Sequence, residues 1–236
     1  MSNSAILGLP YVQAAQAQKH IAVNEALARL DGLVQLILQS VTQTSPPVLV
    51  AEGIAYAVPV GATGAWIGAE GQLAVARNGG WDFVAPSLGW RAYIVDALAP
   101  AIHDGTGWLI GGLAVGANGA GIALRVAEID QTIAPGLTSQ TPAIIPANAL
   151  VFGVTGRVLA DLTGTLASWQ LGNPGSPGRF GTGLGLAAGA YVHGMLGQPT
   201  TYYAAESLLI EAVGGSFAGG VIRLSVHYLE LSVPRT

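Results

Sequence analysis

The 236-residue chain has no cysteine, so it carries neither disulfides nor thiolate metal sites. Charge is almost as scarce. Only 9% of residues are Asp, Glu, Lys or Arg, against about 25% in ordinary globular chains. Lys19 is the single lysine, the arginines are scattered singly, and the net charge is −4. No basic stripe results, which excludes a nucleic-acid partner held by phosphate contacts. The chain also lacks the roughly eighteen uninterrupted apolar residues of a membrane span; Val221–Leu231 is too short and is broken by Arg223 and His227. Residues 1–13 show no basic start and no long apolar run, so no signal peptide is expected.

Catalytic constellations are missing too. There is no Gly-x-Ser-x-Gly elbow, no Walker loop and no His-Glu-x-x-His. Gly181-x-Gly183-x-Gly185 has phosphate-loop spacing but opens no helix, so these glycines are read as bends or close approaches between strands. The histidines His20, His103, His193 and His227 are far apart in sequence, and His227 reads as a satisfied core or interface group. A glycosidase needs two carboxylates across one bond. Glu128, Asp130, Asp161, Glu206, Glu211 and Glu230 are available, but no spacing marks a pair. The expectation is a protein that is not an enzyme and has no cofactor and no metal.

What is present is small, apolar and rich in turns. Hydrophobic residues make up 51%, with 34 glycines and 13 prolines. That composition argues for many short strands and against a helical bundle. Residues 1–45 form the one segment with helical character. Asn24 is placed to cap a helix with Glu25 in its first turn, and Leu27, Leu30, Val34, Ile37 and Val41 follow a 3-4-3-4 stripe. Two uses fit that stripe: packing on its own domain, or a self-association seam. An Ala- and Gln-rich stretch, Tyr11 to His20, allows a second helix, and Pro46-Pro47 stops the pattern.

Residues 46–114 read as a small β domain with a tryptophan after each turn glycine, in Gly64-Ala65-Trp66, Gly80-Trp81, Gly89-Trp90 and Gly107-Trp108. A small domain without disulfides needs such plates to bury enough surface. Residues 115–121 read as a hinge or linker. Residues 122–236 alternate strand patterns with Gly, Pro, Asn and Thr. Candidate strands are 122–133, 143–145, 149–159, 168–171, 183–186, 191–195, 201–204, 207–212 and 221–231, with Ser216-Phe217-Ala218 as a hairpin connection. The fold class is therefore mostly β: a short N-terminal helical segment, a small Trp-rich β domain and a C-terminal antiparallel β-sandwich of jelly-roll type.

Sugars stack on aromatic rings while planar polar groups bond their hydroxyls. Trp169, Gln170, Asn173, Arg179, Tyr191, Tyr202 and Tyr203 supply those groups on expected loops and strand ends, with Gln198 beside them. The alternative for Tyr202-Tyr203 is simple strand alternation, one ring in and one out.

The segment Leu9-Pro10-Tyr11-Val12-Gln13-Ala14-Ala15-Gln16-Ala17-Gln18-Lys19-His20 is followed by Asn24-Glu25-Ala26-Leu27 and Arg29-Leu30-Asp31. Further along come Ala62-Thr63-Gly64-Ala65-Trp66, Gly80-Trp81-x-Phe83-x-x-Pro86 and Gly89-Trp90. Over residues 5–110 these words resemble a family of formerly unassigned function carried by tailed phages and by gene transfer agents of α-proteobacteria. Thr200-Thr201-Tyr202-Tyr203-Ala204-Ala205, Gly214-Gly215-x-Phe217-x-Gly219-Gly220 and Arg223-Leu224-x-Val226-His227-Tyr228 resemble the distal part of the gene transfer agent members, which serve as head spikes or fibres. One departure stands out: Ile102-His103-Asp104-Gly105 replaces an aromatic-Asp-Gly turn, which bears on the packing around Trp108.

The resemblance implies a protein made in the bacterial cytoplasm and carried on the surface of a phage-like particle. Its N-terminal region would attach to a capsid or spike-base protein. Its distal domain would bind host capsular or other cell-surface polysaccharide and promote adsorption, without nucleic acid or membrane insertion. Low surface charge and multivalent binding favour a homo-oligomer, a trimer over a pentamer. A purely structural decoration or connector, and a polysaccharide depolymerase, are the rival readings.

Overall fold

The structure, a computed structural model, describes residues 3–12 and 19–236. It divides into two compact units, Met1–Gly121 with Val233–Thr236, and Ile122–Ser232. It is mostly β, with one α-helix among the described residues.

In the first unit, α1 spans Lys19–Leu33 and has no acid in its first turn and no base in its last. Its macrodipole is therefore uncompensated, and side-chain ties to the preceding segment help hold it in place. Asp31 accepts hydrogen bonds from Ser4 Oγ at 2.7 Å and from the backbone N–H groups of Ile6 and Leu7 at 2.8 and 2.5 Å. Burial pushes the Asp31 pKa up, but the bonds from Ser4, Leu7, Ile6 and Ala5 outweigh it and hold the carboxyl below its ordinary range. Asn24 is not the cap expected of it. It lies inside α1, accepts from the Val12 N–H at 2.8 Å and donates to the Val12 carbonyl at 3.0 Å. The apolar stripe is also cut short, because α1 ends at Leu33 and Val34, Ile37 and Val41 lie beyond it. The second helix expected over Tyr11–His20 falls mostly outside the described residues; Tyr11 and Val12 are not helical, and His20 belongs to α1.

Seven strands follow: β1 (Ile37–Leu38), β2 (Ala55–Ala57), β3 (Leu73–Arg77), β4 (Gly80–Val84), β5 (Arg91–Ile94), β6 (Ala99–His103) and β7 (Trp108–Ile110). They form one sheet in the order β4-β3-β2-β1-β5-β6-β7. β1 runs parallel to β2 and β5, and the other pairs are antiparallel. Asn78 and Gly79, both at positive φ, make the two-residue turn between β3 and β4, where the twist of the flanking strands demands that conformation. Gly32 lets α1 come close to β3, since a β-carbon there would stand 3.1 Å from Val75 Cγ1. A short further strand, β8 (Gly112–Val115), precedes residues 116–120. These form a closed turn, with Gly116 N–H bonded to the Ala120 carbonyl at 2.7 Å.

The middle of this sheet is buried on both faces. Ala55, Ala57, Leu73 and Val75 join one core, against which Trp90 and Trp108 pack. Tyr56 and Ala74 join the other, with Trp66 and Trp81. Tyr56, Trp66 and Trp81 form a mutual triangle with ring centroids 5.2 to 5.9 Å apart. His103 fills the place of the aromatic residue: it is buried and tilted against Trp108 at 5.1 Å. Burial lowers its pKa, against a backbone hydrogen bond with Ser87 and the Asp104 charge that act the other way. Asp104 closes the next turn by accepting from Thr106 N, Thr106 Oγ1 and Gly107 N at 2.8 to 2.9 Å, and it receives Arg235 Nη1 at 2.7 Å.

The second unit has eight strands: β9 (Gly121–Thr132), β10 (Thr138–Ile145), β11 (Ala149–Gly164), β12 (Ser168–Asn173), β13 (Ser176–Leu184), β14 (Tyr191–Tyr202), β15 (Glu206–Val213) and β16 (Phe217–Ser232). One sheet runs β10-β15-β12-β13, and the other includes β14-β11-β16-β9. The neighbours are nested: β9 with β16, β10 with β15, β11 with β14, β12 with β13. A long antiparallel ribbon rolled into two sheets has this order, which is the jelly roll. Both sheets feed one core that includes Ile145, Trp169, Leu171, Phe180, Leu208 and Ile210 from one side and Val151, Val154, Val158, Ile222, Leu224 and Val226 from the other.

Three strand assignments change. Residues 201–204 are no separate strand; β14 continues to Tyr202 past a bulge between Met195 and Thr200. Of residues 183–186 only 183 and 184 are strand, as the end of β13, which begins at Ser176. Phe217 is buried core at the start of β16, and Gly214-Gly215 carries the turn before it.

Trp66→Ala is expected to destabilise the first unit by about 3–5 kcal/mol, since it removes a fully buried indole and leaves a cavity; chemical denaturation measures it. Asp104 has its pKa held at about 2 rather than 3.8, because hydrogen bonds from Thr106, Gly107 and Arg235 outweigh a burial cost that alone would raise it. A depressed folded pKa stabilises above 3.8 and loses that contribution as pH falls towards about 2. Allowing for solvent screening, the loss is on the order of 1 kcal/mol, and Asp104→Asn removes this pH dependence in an acid-denaturation series.

Candidate functional site on the outer face of the jelly roll

Strand alternation in the second unit sends one set of side chains into the core and the other out. On β11, Val154 and Val158 point in, so Thr155 and Arg157 point out. The register then lines up partners on both sides. Arg157 pairs with Tyr191 on β14 and Arg223 on β16; Thr155 pairs with His193 and Ser225; Gly153 pairs with Met195 and His227. Three cross-strand rows of outward side chains result.

On the β16 and β9 side the polar groups satisfy one another. Arg223 grips Asp130 with two bonds, Nε to Oδ1 at 2.6 Å and Nη2 to Oδ2 at 2.7 Å. That guanidinium holds the Asp130 carboxyl below its ordinary pKa, and Asp130 in turn raises Arg223. Ser225 Oγ donates to Glu128 Oε2 at 2.8 Å. His227 Nε2 lies 2.9 Å from Thr155 Oγ1. On the β14 side the groups are open. Tyr191 is 68% exposed, and the hydrogen bond of Arg157 is a long one, Nη1 to the Gly189 carbonyl at 3.3 Å. These side chains border a shallow groove of about 320 Å³, and an adjoining depression lined by Phe152, Met195 and His227 shares Thr155 and His193 with it.

Glycines hold β14 in place. A β-carbon on Gly194 would stand 2.1 Å from the Phe180 carbonyl oxygen, and one on Gly153 would stand 2.5 Å from the Gly194 carbonyl oxygen. Only bare backbone allows this approach, and it sets the spacing of Tyr191 and His193 over β11.

Chemically, the groove offers a flat exposed ring, a guanidinium, an imidazole and hydroxyls on a rigid sheet. No carboxylate lines it; the two nearby on β9, Asp130 and Glu128, are engaged with Arg223 and Ser225. Among the described residues no group of three His, Asp or Glu side chains is placed to hold a metal ion.

The residues expected from sequence to contact sugar are scattered. Trp169 is 1% exposed and its indole N–H donates to the Gly185 carbonyl at 2.8 Å; it is a core plate, not a platform. Tyr202 is 8% exposed and also faces the core, while Tyr203 beside it is 82% exposed, so alternation holds for that pair. Gln170 donates to Glu211 Oε2 at 2.7 Å across the β12–β15 pair, in the other sheet. Asn173 is buried and accepts from Arg179 Nε at 3.1 Å near the β12–β13 turn. Tyr191 alone of the seven borders the groove. Thr155, Arg157, His193, Arg223 and Ser225, which also line the groove, lie within β11, β14 and β16 rather than on loops. The available signal was their i, i+2 spacing along strands: Thr155-x-Arg157, Tyr191-x-His193 and Arg223-x-Ser225-x-His227.

Residues 23–109 match the profile of a family described as "Protein of unknown function (DUF2793)". The match lies within the first unit. No curated protein matches the chain. Among solved structures, a chain of the cyanophage Pam1 capsid asymmetric unit is similar at 22% identity over 50% of this chain and 92% of that one, with a TM-score of 0.37. A similarity that weak does not establish a shared fold.

Gly194→Ala is expected to destabilise the jelly roll by about 3 kcal/mol or more, because the new methyl group meets backbone that cannot move aside. Circular dichroism melting of the variant checks it.

Proposed function

We propose that this chain is a non-catalytic surface protein of a phage-like particle, a head spike or fibre of the gene transfer agent kind. In this reading the first unit attaches to a capsid or spike-base protein. The jelly roll binds polysaccharide on the host cell surface, capsule included, and promotes adsorption. The observation that carries the binding half is the exposed Tyr191 ring set among Arg157, His193 and Thr155 on the outer sheet face. A flat ring flanked by planar donors and hydroxyls is what a pyranose needs, one apolar face to stack on and partners for its hydroxyls. Jelly rolls serve as both capsid and lectin domains, and fold alone does not choose between them. What supports the particle half is the N-terminal resemblance to phage and gene transfer agent proteins.

Each groove is shallow, so a single site binds weakly. A homo-oligomer, for which we favour a trimer over a pentamer, compensates by raising the effective concentration of sites. The non-catalytic assignment rests on the sequence, where no motif and no spacing marks a pair of carboxylates across one bond; Asp130 is in addition tied up by Arg223.

A second reading has an observation of its own. Phe152, Met195, Leu124 and Val126 are also exposed, all at outward positions of the same sheet. If another copy covers that face, the protein is a structural decoration or connector.

Tyr191→Ala is expected to weaken binding to capsulated cells about two- to twelvefold, the 0.5–1.5 kcal/mol of an aromatic contact, with no change in melting temperature. Adsorption to capsulated and capsule-free cells is the measurement. Equal adsorption to both sinks the glycan reading. Dissociation of the oligomer by Met195→Glu, with adsorption unchanged, favours the structural one. Release of reducing sugar from purified capsule establishes a depolymerase.

A further inference from the structure

We infer that the saccharide recognised by this face is anionic, and that its acidic group is bound by Arg157 while its hydroxyls face Glu128. This inference rests on the binding face proposed above and adds the chemical class of its ligand. The argument is the polarity of the face. Two guanidinium groups point outward in the same row, paired through β11 and β16. They differ in what they already hold. Arg223 is neutralised by the two-bond grip on Asp130 and has Glu128 Oε1 at 3.8 Å as well. Arg157 has no carboxylate within ion-pairing distance among the described residues; it has only the 3.3 Å bond to the Gly189 carbonyl.

The charge is therefore laid out in order across the sheet. An unneutralised cation stands on β11 beside the exposed ring of Tyr191. Two carboxylates stand on β9, Glu128 and Asp130, 55% and 46% exposed. An acidic saccharide stacked on Tyr191 fits this layout in one orientation. With its anionic group over Arg157, a planar fork of donors meets a carboxylate or a phosphodiester. Turned round, the same group lies over Glu128 and Asp130 and is repelled. A neutral saccharide gains nothing from the order. In a chain with so few cations, and a net charge of −4, Arg157 is also the one place on this face able to attract a polyanion without first breaking an internal ion pair.

The test is direct binding of the full chain to three probes of equal length: oligogalacturonate, its carboxyl-reduced neutral counterpart, and oligo(ribitol phosphate). Oligogalacturonate, ribitol phosphate or both are expected to bind at least tenfold tighter than the neutral probe. The stronger of the two tells whether the natural group is a carboxylate or a phosphodiester. Arg157→Gln is expected to abolish that preference, and Arg157→Lys to restore part of it. Arg29→Gln, on α1, leaves it intact. The preference also weakens as salt rises. If Tyr191→Ala reduces binding while carboxyl reduction and Arg157→Gln do nothing, the face stands and the anionic class is wrong. If Tyr191→Ala changes nothing and no probe binds, both the face and the class are overturned.

Discussion

Everything outward on the jelly roll depends on what is held inward. Val154 and Val158 of β11, Val192 of β14, and Ile222, Leu224 and Val226 of β16 are anchored in one core with Trp169, Leu171 and Phe180 of the facing sheet. Side chains alternate along a strand, so a slip of one residue would carry Arg157 into that core and Val158 into water. Burying an unpaired guanidinium costs several kcal/mol. The register of the three rows is thus set by apolar packing on the far side of the backbone. The groove needs no lid and no loop of its own to be rigid.

The glycines follow from the same constraint. A sandwich with few charges and no disulfide gains its stability from close apposition. Gly194 and Gly153 give β14 room to lie against β13 and β11, and their absent side chains leave His193 and Met195 standing clear on the outer face. In the first unit the equivalent service comes from aromatic mass. Tyr56, Trp66 and Trp81 make a compact plug beneath a sheet whose middle strands are mostly alanine and valine. Each unit thereby solves the problem of a low-charge, cysteine-free chain in its own way, one with glycine and one with tryptophan.

The polar chemistry of the chain is concentrated where such packing cannot reach. Asp31, Asn24 and Asp104 spend their oxygens on backbone N–H groups of turns and chain ends. Arg223 and Asp130 spend theirs on each other. Arg157, by contrast, stands on the outer face with no carboxylate within ion-pairing distance among the described residues and only a long bond to the Gly189 carbonyl.

The sequence by itself determined the strand-rich fold and the jelly-roll class. Frequent Gly and Pro between short apolar alternations leave few other arrangements, and period-2 patterning is a local property. It also located the tryptophans as core plates in the first unit, because a residue that large has to be buried somewhere. Tertiary structure alone decided the rest. The end of α1 at Leu33 depends on what the residues beyond it pair with, so a stripe running on to Val41 could not reveal it. Whether Trp169 or Tyr191 faces water depends on which side of a strand meets the other sheet, and a residue's type does not carry that information. The rows joining Tyr191, Arg157, Arg223 and Asp130 unite strands separated by tens of residues. Only the rolling of the ribbon brings them side by side.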